Sequence, residues 1–325
     1  MRKLLLFGMI LTSMTALCQN EVVSAVLQTG SEVKYYTGAD ALVRAYNDAE
    51  QSGSVITLTA GSFSTPSYIT KSVNIYGQGW EKDDEAGIRP TVINGNLCFY
   101  SGSDETPLSD LTVEGVYVTG EMCVKQTTGL VASKFRAKTF VINGENASSI
   151  TLRQCYLDGM NVGSYSVNGL YVQNSFIRGR LYGGGEQQIL MDHCILRQDN
   201  DYGSFRAVYT NCIFGTGYRT DIDAGSTVKN CIFEGGSTSA GIQENCWFGV
   251  SVSTLFTDGT NMNYAEGRTF GLSSPETYVG TDGTEVGING GTYPWNRVPT
   301  TPIVKKLEIS VDGKQLNVTH QAETR

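Results

Sequence analysis

The chain has 325 residues, 40% of them hydrophobic and 17% charged, with a formal net charge of −8. That length can bury one sizeable core. The acidic balance argues against nucleic acid and anionic lipid surfaces as partners, because both call for clustered Lys and Arg. The 38 Gly against 7 Pro favour many tight turns and few helices.

Residues 1–18 read as a secretory signal peptide. Arg2 and Lys3 give a positive start, Leu4 to Leu17 form an apolar run, and Ala16 and Cys18 suit cleavage before Gln19. The expectation is an exported protein, periplasmic, on the cell surface or extracellular. Cys18 has the place of a lipoprotein anchor, but Leu17 stands where Gly, Ala or Ser is usual, so lipidation is the lesser reading. No later stretch offers ~18 consecutive apolar residues, so no transmembrane segment is expected. Without residues 1–18 the chain is 325 − 18 = 307 residues long, with a charge of −8 − 2 = −10. Seven cysteines then remain, 8 − 1, and they cannot all pair within the chain.

Residues 37–50 predict a helix. Ala41, Leu42, Ala45 and Ala49 share one face, and Thr37 or Asp40 stands ready to cap its start. Val55 to Leu58 begins a strand, Ala60 to Phe63 reads as a turn, and Val73 to Gly77 as the next strand. A helix placed before the first strand suits the open end of a repeating fold, which needs a cap.

From Leu152 to Phe248 six segments share one pattern: 152–157, 172–177, 191–196, 209–214, 228–233 and 243–248. Their fourth positions are Cys155, Ser175, Cys194, Cys212, Cys231 and Cys246, with steps of 20, 19, 18, 19 and 15 residues. A repeat near twenty residues marks a solenoid with one turn of chain per repeat. Alternation along a strand puts this small residue and the large apolar residue two places on, Leu157 in the first segment, inward together. The cysteines are expected to be buried thiols, because stacked side chains in register point the same way. Two earlier segments extend the column to Val116 and Ser133, and Cys98 and Cys123 belong to other faces.

The position before the small residue holds Gln154, Asn174, His193, Asn211, Asn230 and Asn245. Asn and His tolerate the left-handed backbone of a sharp bend, and stacked amides can bond along the axis. His193 is therefore read as a bend residue rather than a catalyst. The position after the small residue holds Tyr156, Phe176, Ile195, Ile213, Ile232 and Trp247, which alternation turns outward. Five steps of ~4.8 Å make an apolar stripe about 24 Å long. Monomers rarely expose such a stripe, so part of residues 250–306 is expected to cover it.

The helix with its following strands, the Asn-Cys rungs and the segment Gly271 to Gly291 together resemble right-handed parallel β-helix proteins of the pectate-lyase-like superfamily, in particular exported proteins of Bacteroides-type bacteria. The resemblance covers most of residues 37–295. It implies a single-stranded right-handed parallel β-helix over 19–295 with an N-terminal cap helix. Residues 296–325 would form an extended segment and a hairpin turning at Asp312-Gly313. The resemblance specifies a fold far more than a reaction.

Enzymes of this fold hold substrate in a groove along an outer face, with acidic residues binding calcium or moving protons. The corresponding residues here are Arg219, Asp221 and Asp223 as catalytic candidates and Asp199, Asp201, Tyr202, Arg206 and Tyr218 as ligand-binding candidates. No pectate-lyase-type active-site motif and no Gly-x-Ser-x-Gly, His-Glu-x-x-His or phosphate loop occurs. No spaced acidic loop indicates calcium, so no cofactor is expected, with calcium the one alternative. Two functions follow: an exported protein that binds a glycan or other partner or serves structurally, or a polysaccharide lyase or glycoside hydrolase using the 199–223 face.

Overall fold

From Gly115 onward each turn of the chain bends at one residue held at positive φ. These are Gly115, Lys134, Gln154, Asn174, His193, Asn211, Asn230 and Asn245, with φ between 47° and 71°. The bend separates a strand of one sheet from a strand of another. Strand Ser148–Arg153 precedes Gln154 and Tyr156–Leu157 follows it; Val167–Gln173 precedes Asn174 and Phe176–Ile177 follows it. Main-chain bonds continue across the bend: Gln154 N–H donates to Gln173 O and Asn174 N–H to Asp192 O, both at 3.0 Å. Stacked turns therefore give two long sheets, of 14 and 12 strands among the described residues. The result is a right-handed parallel β-solenoid of about nine turns, 45% strand and 5% helix. This computed structural model describes residues 23–84, 89–101, 106–184, 187–197, 206–215 and 222–300, and the backbone of strands Ile303–Asp312 and Gln315–Glu323.

The inward pair is as the repeats require except on the last rung, where Cys246 is partly buried and Phe248 is exposed. Cys155 and Leu157, Cys194 and Leu196, Cys212 and Phe214, and Cys231 and Phe233 are all buried in one core. The five cysteines of this column are free thiols. Each donates to the carbonyl two residues earlier, from Cys155 to Arg153 at 3.0 Å through Cys246 to Glu244 at 3.4 Å. Ser175 makes the same bond to Gln173 O at 2.8 Å, which explains why serine replaces cysteine on that rung. Burial pushes the Cys155 thiol well above the usual range.

One column assignment is corrected. Ser133 pairs with Arg153, and Arg136 pairs with Tyr156, so the partner of Cys155 is Phe135. The steps become 135 − 116 = 19 and 155 − 135 = 20, closer to the later period. The sequence hides this rung because its bend residue is Lys134 rather than Asn, and its inward pair runs large then small, Phe135 and Ala137. Cys98 and Cys123 do lie on another face. They are register partners in adjacent strands, 4.5 Å apart at Cα, and they form a disulfide.

At the N-terminal end the cap is larger than the helix alone. Strands β1 (Ser24–Thr29) and β2 (Glu32–Thr37) form an antiparallel hairpin, and β1 pairs antiparallel with β3 (Ser52–Leu58), the first solenoid strand. Gly30, at φ 59°, supplies the bend of its two-residue loop. Helix α1 spans Ala41–Asp48, shorter than 37–50, and buries Ala41, Leu42, Ala45 and Tyr46. Asp40 is its N-cap residue but makes no capping bond; its carboxylate pairs with Arg44 at 3.1 Å. The other end is held by Lys71, whose ammonium donates to the carbonyls of Tyr46, Asn47 and Ala49 at 2.7–3.0 Å. Gly61–Ser64 is a strand of the second sheet rather than a turn.

The outward stripe is covered, as its apolarity demanded. Tyr156, Phe176, Ile195, Ile213 and Ile232 are at most 3% exposed. They form a second apolar layer with Val252, Leu255, Phe256, Met262, Phe270, Leu272, Val286 and Ile288. The covering strap, residues 249–300, closes with a run along the column of bends, against the order of the turns. Asn230 donates to Val279 O at 2.9 Å and Asn211 to Thr281 Oγ1 at 3.1 Å. Asn174 donates to Ile288 O and Gly290 O at 2.9 and 2.7 Å, and Gln154 to Tyr293 O and Pro294 O. Lys134 donates to Val298 O at 2.6 Å. The bend side chains thus stitch the strap down instead of stacking only with each other. Glycine is required where the strap lies closest: a Cβ on Gly287 would stand 2.6 Å from Ile213, and one on Gly290 2.5 Å from His193. The C-terminal hairpin pairs Asp312 with Gln315, so Asp312 is a strand residue rather than a turn residue.

Candidate functional site

Of the residues singled out for chemistry, Asp199, Asp201, Tyr202, Tyr218, Arg219 and Asp221 lie outside the described residues. Arg206 and Asp223 are described, and they meet at one glycine. The Asp223 carboxylate accepts from Gly225 N–H at 2.8 Å, and Arg206 Nε donates to Gly225 O at 3.1 Å. The first shapes a local turn, and the second ties residues 19 positions apart. His193 is fully buried at φ 50°, with Nε2 3.1 Å from Thr284 Oγ1 and Nδ1 3.1 Å from Asp192 Oδ1. Its ring lies under Gly290 and Gly291, which gives a substrate no approach to it.

A groove of about 580 Å³ opens on a different face, nearer the N-terminal end. Its walls follow from strand alternation. Ile69, Phe99, Val124 and Ile142 point into the core at no more than 1% exposure, so Tyr68, Tyr100, Lys125 and Asn143 beside them point out. Tyr100 and Lys125 are register partners on neighbouring turns. The Lys125 ammonium sits 4.5 Å from the centre of the Tyr100 ring and 3.5 Å from its hydroxyl. Tyr68 packs edge-on to Tyr100, with ring centres 5.8 Å apart. The stem of Lys125 is held from behind by the backbone of Gly144, where any Cβ would fall 2.5 Å from Lys125 Cγ. Tyr165, Glu145 and Asn146 complete the rim, and the Cys98–Cys123 disulfide lies among the lining residues. Two turns beyond Val141, and three beyond Cys123, the same face carries Tyr182, 48% exposed and stacked under Arg180 at 4.8 Å.

Aromatic faces, hydroxyls and amides around a long cation suit a polyol: the C–H face of a sugar ring lies on a phenol ring while its hydroxyls find polar partners. Glu145 is the one carboxylate among the described lining residues. Sequence reasoning missed this groove because its tyrosines come from three turns of irregular length. The available signal was the alternation at 97–100 and 122–125, which marks Tyr100 and Lys125 as outward.

A second hollow, about 640 Å³, lies beside the end of the strap. Its charged groups serve the strap. Glu114 accepts from Thr300 N–H at 2.7 Å and from the Thr300 hydroxyl at 2.9 and 2.8 Å, with Lys134 4.0 Å away. Burial holds the Lys134 ammonium below its usual range, and Glu114 opposes that shift. Arg153 stacks on Tyr293 at 4.1 Å.

Among the described residues no group of three or more His, Cys, Asp or Glu side chains is placed to hold a metal, and no helix is long and apolar enough to cross a membrane. No family model, curated protein or solved structure matches this chain.

Proposed function

We propose that this is an exported glycan-binding protein of the pectate-lyase-like class, which holds a polysaccharide in the groove at Tyr68, Tyr100 and Tyr165 without cleaving it. The observation that carries the reading is the groove itself: outward tyrosines around a lysine, with one carboxylate among the described lining residues. Export is supported by the pattern of residues 1–18 and by the Cys98–Cys123 disulfide, a bond that persists in oxidising compartments. Binding in this reading needs no calcium, because the donors are ring faces, hydroxyls and amides.

Electrophoresis through gels containing a panel of plant and microbial polysaccharides tests it. The wild-type chain is expected to be retarded by at least one polysaccharide, with or without EDTA. Tyr68→Ala with Tyr100→Ala, at unchanged melting temperature, is expected to weaken that binding by about tenfold or more, since each stacked ring contributes about 1 kcal/mol. Equal retardation of the variant, or none of the wild type, rejects the reading. Release of unsaturated products or reducing ends would replace it with a lyase or a hydrolase.

A further inference from the structure

The last turn of the cysteine column differs from those before it. Lys229 pairs with Glu244 and Ile232 with Trp247, so Cys231 and Cys246 stand opposite one another on adjacent turns. Trp247 N–H donates to Cys231 O at 2.9 Å, which fixes that register. Cys155, Cys194, Cys212 and Cys231 are buried, whereas Cys246 is only partly covered, and Ile242, Gln243, Glu244 and Asn245 beside it are exposed. In this column, then, a soluble oxidant reaches Cys246 first. The fold also shows that register partners on adjacent parallel strands accept a bond, since Cys98 and Cys123 have this relation and are joined.

We propose that Cys231 and Cys246 are a second disulfide site, closed by thiol–disulfide exchange with a small-molecule disulfide of the oxidised-glutathione type. The Cys246 thiolate attacks one sulfur of that disulfide, forming a mixed disulfide and releasing one thiol. Cys231 then attacks the Cys246 sulfur and expels the second thiol. Two cysteine thiols and one disulfide become one protein disulfide and two small thiols. Two electrons pass to the oxidant, and the two thiol protons leave with its products. Closure ties the exposed final turn to the buried turn beneath it, independently of what the tyrosine groove binds.

The experiment uses the full chain, mildly reduced and then incubated with oxidised glutathione. After denaturation in iodoacetamide it is digested with trypsin and weighed. Cys231 and Cys246 fall in one peptide, 230–268, because no Lys or Arg lies between its ends. The expected result is a 230–268 peptide two hydrogens lighter than its reduced form and carrying no alkyl group, while Cys155, Cys194 and Cys212 are alkylated. The oxidised chain is expected to melt a few degrees higher. Cys246→Ser is expected to fold, because Ser175 fills the same column, and to leave Cys231 alkylated. Alkylation of both cysteines after oxidation overturns the proposal. So does glutathione retained on Cys246, or a bond between Cys212 and Cys231.

Discussion

Asn174 bends the chain at φ 47° and, through one amide, holds two strap carbonyls that no other described side chain reaches. The two duties separate by substitution. Asn174→Gly keeps the bend, leaves the Gly290 carbonyl without its donor and leaves Ile288 O only the Trp295 N–H, at a cost of about 2 kcal/mol. Asn174→Ala adds roughly 1 kcal/mol more for a left-handed residue with a Cβ. Denaturant midpoints should therefore fall in the order wild type, glycine variant, alanine variant. Equal midpoints for the two variants would mean that the bend carries no strain. At this scale the sequence was legible in part. A column of Asn with a His and a Gln announces left-handed bends, and the structure has them. It does not announce the stitching, because most of the strap's partners are main-chain carbonyls, which every residue type supplies.

The strap is the element on which acid should act. Asp258 accepts from Thr269 N–H, the Thr269 hydroxyl and Phe270 N–H at 2.6–2.8 Å and from Arg268 Nε at 3.1 Å. Burial raises its carboxyl, but these donors outweigh burial and hold it below the usual range. A depressed folded value means stability that is present above the unfolded value, about 3.9, and lost as pH falls through the folded one. Strap loosening should thus begin below about pH 4. Trp80, Trp247 and Trp295, the three tryptophans of the chain, all belong to the layer at the strap, so their fluorescence reports it. Asp258→Asn should be less stable than wild type at pH 7 and show a shallower acid transition; an identical acid profile would assign the loosening elsewhere. The strap's existence could be argued from the sequence, since six outward apolar residues need a cover. Its path could not, because residues 249–300 have no period to read.

For the whole molecule, the turns were legible because each must bury a small and a large residue at one place, and that demand recurs about every nineteen residues. The groove was not, because an outward side chain answers to no packing rule. The same division predicts the result of removing the strap. A chain ending at Phe248 keeps its core but bares the stripe from Tyr156 to Trp247. It should bind a hydrophobic dye and elute from gel filtration as aggregates, whereas a monomeric, dye-silent product would show that the stripe needs no cover.

The direction of the strap also sets an order in time. Its final residue, Thr300, closes on Glu114, 186 positions earlier, after passing every bend from Asn230 back to Lys134. Such a closure waits for all the intervening turns. A chain that emerges N-terminus first therefore completes its solenoid with the stripe still uncovered, and strap docking is the last step of folding. Until residues 279–300 arrive, the nascent protein presents a growing apolar ladder, which is the form in which a chaperone would meet it.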